Sequence, residues 1–286
     1  MLGLGASLHN RTERAYELRH DWDNQKFLSF DGVDDKAEFN VNAGFIESVT
    51  GGSGNIGDNI GFSFWIKPTW DSSGTLGTSG FAPRKIDFFY LGAPADNHES
   101  VRGYYQLTNS SGTTQNRLWS ELRATTTSNT KDNDFAALHN DNSITGTGTG
   151  SSDHWKTDNP SGEGWVHIVM TRATGNWTQY WNSQALSMND SDTGTLNTDN
   201  SIGRVMRFGG HTPSNAFSKY GVRDFAVFST QLTSDNASTL YNSGAFFDVR
   251  KSGINGLGVY YPFDENVKDV VGGHNLTLSG GAFINL

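Results

Sequence analysis

The residues in this chain best equipped for chemistry are two groups of hard oxygen donors and a few aromatic side chains set among polar neighbours. Asp31, Asp34 and Asp35 fall close together, and Asp132, Asn133 and Asp134 are consecutive. Calcium takes several such ligands from carboxylates, amides and backbone carbonyls. Asp31-Gly32 and Asp34-Asp35 are also turn formers, and neither spacing supplies a full oxygen cage. The expectation is therefore a chain without a resident metal or cofactor, in which calcium is the ion these aspartates would take.

The aromatic candidates are Trp70, Trp119, His154 and Trp155. An aromatic face can stack on the apolar face of a pyranose while nearby Asn, Asp and backbone groups orient its hydroxyls, and a binding site needs only a few such polar groups on an apolar patch. Trp70 lies just beyond Pro68, and the other three lie within a polar stretch at about 109–162. These four are the expected carbohydrate-binding residues, although tryptophan is more often largely buried, as a lid on a core edge. No catalytic residue is expected. There is no Gly-x-Ser-x-Gly elbow to present a nucleophile. His139, His154, His211 and His274 lack short metal-ligand spacing, and His167 sits inside a strand pattern, where a packed histidine is the commoner state.

Composition sets the frame for these groups. Apolar residues make up 35% and charged residues 18% of 286, with 34 Gly and abundant Ser, Thr, Asn and Asp. Those polar residues stabilise turns and suit helix interiors poorly. Eight Trp and 18 Phe are too many aromatics for a disordered chain. The net charge of -9 argues against a nucleic-acid partner. No run is long enough to cross a bilayer, so no membrane partner is expected. Zero cysteine excludes disulfides. Met1–Leu8 has no charged n-region, and Arg11, Glu13, Arg14 and Glu17 follow at once, which is not a signal peptide.

The elements that must position the candidates are mostly strands. Phe62, Phe64 and Ile66 alternate with Ser63, Trp65 and Lys67, the period of a half-buried strand, and Pro68 ends it because proline cannot donate to a ladder. Val166, Ile168 and Met170 repeat the pattern. Tyr180-Trp181-Asn182-Ser183-Gln184 predicts a hairpin turning at Asn182-Ser183. Val222 to Phe228 is apolar on both faces and is expected in the middle of a sheet. Trp65, Trp165 and Trp181, within strands, are expected in the core with Phe30, Phe225 and Val227. One helix is punctuated by Thr233 as N-cap, by Ala237, Leu240 and Tyr241 on one face, and by Gly244 as left-handed cap; it is expected to plug one end of the fold. Residues 1–25 predict an N-terminal arm ahead of a domain at 26–286, with the polar loop insert inside it. The segment Tyr260 to Phe283 is expected to form a strand pair beside the Phe30 strand.

Five motifs then follow in a fixed order: Phe30-Asp31-Gly32-Val33-Asp34-Asp35; Phe62 to Pro68; Trp165-Val166-His167 to Arg172; Gly221-Val222-Arg223-Asp224-Phe225 to Leu240 and Gly244; and Tyr260-Tyr261-Pro262-Phe263-Asp264-Glu265. Their order resembles the laminin G-like, concanavalin A-like jelly rolls. The departures are Ser183 at the family's turn glycine, Arg223 at its first strand aspartate, and a Tyr-Tyr-x-Phe-Asp-Glu segment that comes last instead of first. The resemblance implies an all-β, two-sheet antiparallel jelly-roll sandwich with one short helix, serving binding and not catalysis. Hydrolases of this fold carry Glu-x-Asp-x-x-Glu on one strand, and no Glu here is followed two residues later by Asp. The late Tyr-Tyr segment and the Gly-rich start look like the versions in tailed-phage structural proteins. That resemblance implies a virion protein made in a host cytoplasm, a decoration or cement of capsid or tail. Its implied partners are capsid or tail proteins, further copies of itself, and host surface polysaccharide. The alternative is a stand-alone carbohydrate-binding module of a cell-surface or secreted system.

Overall fold

A computed structural model of the chain describes residues 26–52, 59–68, 85–92, 100–110, 113–125, 131–133, 136–139, 165–173, 176–186, 204–211 and 216–285. The expected arm at 1–25 lies outside them. Two eight-stranded antiparallel sheets face each other. The first holds β1 (Phe27–Asp31), β3 (Asn59–Pro68), β9 (Val166–Ala173), β10 (Asn176–Trp181), β11 (Gln184–Ala185), β15 (Lys219–Phe228), β16 (Leu257–Tyr261) and β18 (Phe283–Asn285). Its order is β11-β10-β9-β3-β15-β1-β18, with β16 also on β15. The second holds β2 (Lys36–Asn40), β4 (Lys85–Gly92), β5 (Ser100–Ser110), β6 (Thr113–Thr125), β7 (Lys131–Asn133), β8 (Ala136–His139), β12 (Val205–Phe208) and β17 (Thr277–Ser279). Its order is β17-β2-β12-β4-β5-β6-β7, with β8 also on β6. A separate short pair joins β13 (Gly210–His211) to β14 (Ala216–Phe217).

The aromatic content fills the space between the sheets. Phe62, Phe64 and Phe225 of the first sheet meet Phe88, Phe89 and Phe208 of the second, with Phe62 stacked on Phe89 at 4.6 Å and Phe208 edge-on to Phe225 at 4.8 Å. Such ring pairs add to the large area each ring removes from water. The expected core residues Phe30, Ile66, Val166, Ile168, Met170 and Val227 are all buried here. Polar ties also cross the gap. Tyr220 donates its hydroxyl to the Phe88 carbonyl at 2.7 Å and accepts the Gly209 N–H at 2.7 Å.

Individual elements follow their local chemistry. β3 stops at Pro68, and β15, apolar on both faces, runs between β3 on one side and β1 and β16 on the other. Asn182 and Ser183 both have positive φ, 48° and 66°, the signature of the tight hairpin turn whose twist matches its strands. The C-terminal segment is shared out more widely than a single pair. β16 joins β15, β17 joins β2 in the second sheet, and only β18 lies beside β1.

Two α-helices are described. α1 (Ala43–Thr50) begins at Asn42, whose side chain accepts the Phe45 N–H, and buries Phe45, Ile46 and Val49. α2 (Ser234–Tyr241) starts at Thr233 in a capping box with Asn236. Its left-handed cap is Asn242, not Gly244, because asparagine also tolerates that conformation. Nor does α2 plug an end. Ala237 and Leu240 pack with Val169, Tyr180, Ala226 and Phe228 on the outer face of the first sheet. Beside them Trp65 and Trp165 stack with Phe27, Tyr241 and Phe246. Among the described residues no helix is long and apolar enough to cross a membrane.

Candidate functional site

Strand register builds a row of charged and aromatic residues across the second sheet. Glu38 pairs with Arg207, Arg207 with Tyr90, Tyr90 with Arg102, and Arg102 with Glu121. Directly opposed residues share a face. Alternation fixes which face it is: Phe89 and Leu91, Met206 and Phe208, and Val101 and Tyr105 point into the core, so their neighbours Tyr90, Arg207, Arg102 and Tyr104 belong to the outer face. The Arg102 guanidinium lies over the Tyr104 ring at 4.8 Å. Arg207 donates from Nε and Nη2 to Glu38 Oε2 at 3.0 and 2.7 Å. Burial works against the Glu38 carboxylate, but the hydrogen bonds from Arg207 and Lys36 outweigh it and hold its pKa below the ordinary glutamate value. Tyr90, Arg102 and Tyr104 are themselves buried. The row combines the side-chain types that sugar recognition uses, aromatic rings beside directional charged hydrogen-bonding groups, and its partly exposed end is Glu38.

The predicted binding residues stand in relation to this row as follows. Trp119 is in β6, directly across from Tyr104; only its backbone is described. Trp70, His154 and Trp155 lie outside the described residues. The residues that sequence reasoning missed are Tyr90, Arg102, Tyr104 and Arg207. Alternation within β4 and β5 carries a signal for their shared face, but only the register between distant strands brings them into line.

Asp31, Asp34 and Asp35 do come together, each offering a carboxylate oxygen within 4.8 Å of the others. Asp31 Oδ1 accepts the Val33 N–H at 2.7 Å, closing the turn, and Asp35 Oδ2 accepts the Asp31 N–H at 2.6 Å. Burial pushes the Asp35 carboxyl above its ordinary pKa against that hydrogen bond, and the Asp31 and Asp34 charges push the same way. Of the second group, Asp132 and Asn133 are in β7 with only backbone described, and Asp134 lies outside the described residues.

Serine–histidine contacts among the described residues are built for packing. Ser63 Oγ lies 2.9 Å from His167 Nε2, with both residues buried. His167 Nδ1 has no hydrogen-bond partner, and burial drives its pKa down to about 3. A base so weak and so enclosed cannot activate a hydroxyl near neutral pH. Ser48 Oγ lies 3.3 Å from His274 Nε2 but donates to the Gly44 carbonyl at 2.9 Å. Asp269 accepts the backbone N–H of His274, together with those of Tyr260, Val271 and Gly272. It shapes a turn and does not orient an imidazole.

These observations define a two-sheet antiparallel jelly-roll sandwich. No family model matches the chain, and no curated protein matches it. Among solved structures, it is similar to the native heptameric SAP-like pentraxin of Limulus polyphemus, at 13% identity over 92% of this chain and 95% of that one, with a TM-score of 0.48. It is similar to a candidate carbohydrate binding protein of Bacteroides ovatus at 11% identity, over 91% of this chain and 59% of that one, with a TM-score of 0.48. The binding domain of Botulinum neurotoxin DC, solved with rat synaptotagmin II, shares 15% identity over 77% of this chain and 43% of that one, with a TM-score of 0.44. The fold is defined by strand order and register independently of these likenesses.

Proposed function

We propose that this protein is a non-enzymatic, lectin-like binding module that recognises surface polysaccharide and works as an accessory on a tailed-phage capsid or tail. The observation that carries the binding part is the division of labour between the outer faces. That of the first sheet is covered by α2 and the chain that follows it. That of the second carries the polar Glu38–Arg207–Tyr90–Arg102 row, in which Tyr90 and Arg102 are buried and Glu38 is partly exposed, with Trp119 in register opposite Tyr104. The virion setting is supported by the order of the sequence motifs, and the partners it brings are capsid or tail proteins and further copies of this chain.

The glycan reading is tested by screening the purified chain on a bacterial polysaccharide array, then titrating hits against Trp119→Ala. Saturable binding that weakens in the variant is expected; an array without binders, with and without calcium, overturns it. The virion reading is tested separately, by stoichiometric recovery of the chain in washed, intact particles. Absence from such particles removes it and leaves a stand-alone carbohydrate-binding module.

A further inference from the structure

The polar row of the second sheet is open at one end. Among the described residues β17 is the edge strand there, and its register sets Thr277 beside Glu38 and Ser279 beside Lys36. Paired residues share a face. Leu278 and its partner Ala37 turn inward to the core, so the four polar side chains stand on the outer face. Thr277 and Ser279 are exposed, and neither hydroxyl is engaged among the described residues. The Lys36 and Glu38 side chains are 32% and 29% exposed. These four corners span about 7 Å along the strands and about 5 Å across them, the scale of one sugar ring.

The hydrogen bonds at this corner are unevenly spent. A carboxylate accepts about four of them. Arg207 fills Glu38 Oε2, from Nε at 3.0 Å and Nη2 at 2.7 Å, while Oε1 takes only Lys36 Nζ, at 3.2 Å. Oε1 therefore keeps an acceptor position, beside the ammonium donors that Lys36 does not spend on it. The Arg207 side chain, 11% exposed, braces the carboxylate from within the sheet face. The same bonds hold the Glu38 pKa below its ordinary value, so the acceptor stays ionised at neutral pH.

We propose that Glu38 and Lys36 form a subsite for an uncharged sugar, taking two of its neighbouring hydroxyls. One donates to Glu38 Oε1 and the next accepts from Lys36 Nζ, with the Thr277 and Ser279 hydroxyls at the rim. The inference rests on the glycan reading above and names its ligand class. A fixed acceptor beside a fixed donor suits hydroxyls, each of which both donates and accepts. A carboxylate in place of the donating hydroxyl has no proton to give and sets a second negative charge against Glu38, so the subsite discriminates against uronic acids. With no aromatic ring at its rim among the described residues, it sorts sugars more than it holds them.

An array of uncharged and uronic-acid-bearing polysaccharides tests the proposal, probed with the full natural chain, Glu38→Gln and Thr277→Val, with titration of the hits. The natural chain should prefer uncharged chains. Glu38→Gln keeps the shape and removes the charge; it should weaken binding of uncharged chains about tenfold and narrow the preference over uronic acids. Thr277→Val, at an exposed edge, removes only a rim hydroxyl and should weaken binding about threefold. The narrowed preference is the readout that a merely structural role of Glu38 does not produce. Unchanged affinity in both variants, a Glu38→Gln loss shared equally by uncharged and acidic chains, or a preference of the natural chain for acidic ones would each overturn the inference and leave the glycan reading standing. An array without binders removes that reading, and this inference with it.

Discussion

Two buried titratable groups set opposing pH dependences of stability, and each can be isolated by one substitution. His167 is held neutral, with its pKa lowered by burial from 6.5 to about 3. Between those values the unfolded chain binds a proton that the folded chain does not, so stability rises with pH at up to about 1.4 kcal/mol per unit. Asp224 runs the other way. Burial pushes its pKa from 3.8 up to about 6, against the nearby Arg223 charge and the 2.6 Å hydrogen bond donated by the Tyr260 hydroxyl. The folded chain then keeps a proton the unfolded chain has lost, so stability falls as pH rises from about 4 to 6, by about 3 kcal/mol in total. Between pH 4 and 6 the two slopes offset each other in the natural chain. His167→Gln leaves the Asp224 slope exposed, and Asp224→Asn leaves the His167 slope; asparagine also suits the φ of 50° at that position. Urea denaturation followed by tryptophan fluorescence at pH 4, 5, 6 and 7 measures both. Relative to the natural chain, His167→Gln should gain stability toward pH 4 and Asp224→Asn toward pH 7, each by about 2–3 kcal/mol. Curves that stay parallel to the natural one would refute the assignment of these slopes to these groups.

Two further outcomes follow from packing. A Cβ on Gly258 of β16 would overlap the Ser48 carbonyl oxygen of α1, a backbone-on-backbone contact that no rotamer relieves; Gly258→Ala should cost at least about 2 kcal/mol in chemical denaturation, and a loss below about 0.5 kcal/mol would contradict the helix placement. Deleting residues 256–286 removes the buried Val259, Tyr260, Tyr261, Phe263 and Leu276 and takes one partner strand each from β15, β2 and β1; the product should be insoluble, and a soluble, cooperatively melting product would contradict the role given to these strands.

Elements whose signal is local were legible in the sequence. Alternation identified β3, β9 and β15, Pro68 marked the end of β3, and the turn at Asn182-Ser183 followed from residue type. The start of α2 was legible because its capping box is a short-range pattern. Its end was not, since Asn242, Ser243 and Gly244 all adopt positive φ and sequence alone does not say which of them closes the helix. α1 was missed although Asn42 with Phe45, Ile46 and Val49 carries a cap and a helical period; its eight residues give little length for periodicity to show. At the candidate sites the limit was pairing. The spacing of Asp31, Asp34 and Asp35 showed a turn, while the approach of Gly281, far along the chain, to the Asp35 carboxylate was not visible in it. Tyr90, Arg102 and Arg207 lie on three strands whose register no local pattern encodes.

The same distinction bears on where this sandwich can meet a ligand. A face that packs on a helix must be apolar, and the outer face of the first sheet is: Val169, Tyr180, Ala226 and Phe228 lie against Ala237 and Leu240. The outer face of the second sheet carries Glu38, Arg207, Tyr90 and Arg102 instead. Groups of that kind are poor partners for an apolar helix, because each guanidinium and carboxylate brings a desolvation cost that only specific hydrogen bonds offset. Here such bonds are made within the row by Arg207 on Glu38, and Arg102 lies over the Tyr104 ring. Tyr90, Arg102 and Tyr104 are already covered, so the polar group this row leaves partly open is Glu38. The glycan binding proposed above therefore asks of this face an exchange of hydrogen bonds, which its polar row can make and the apolar face under α2 cannot.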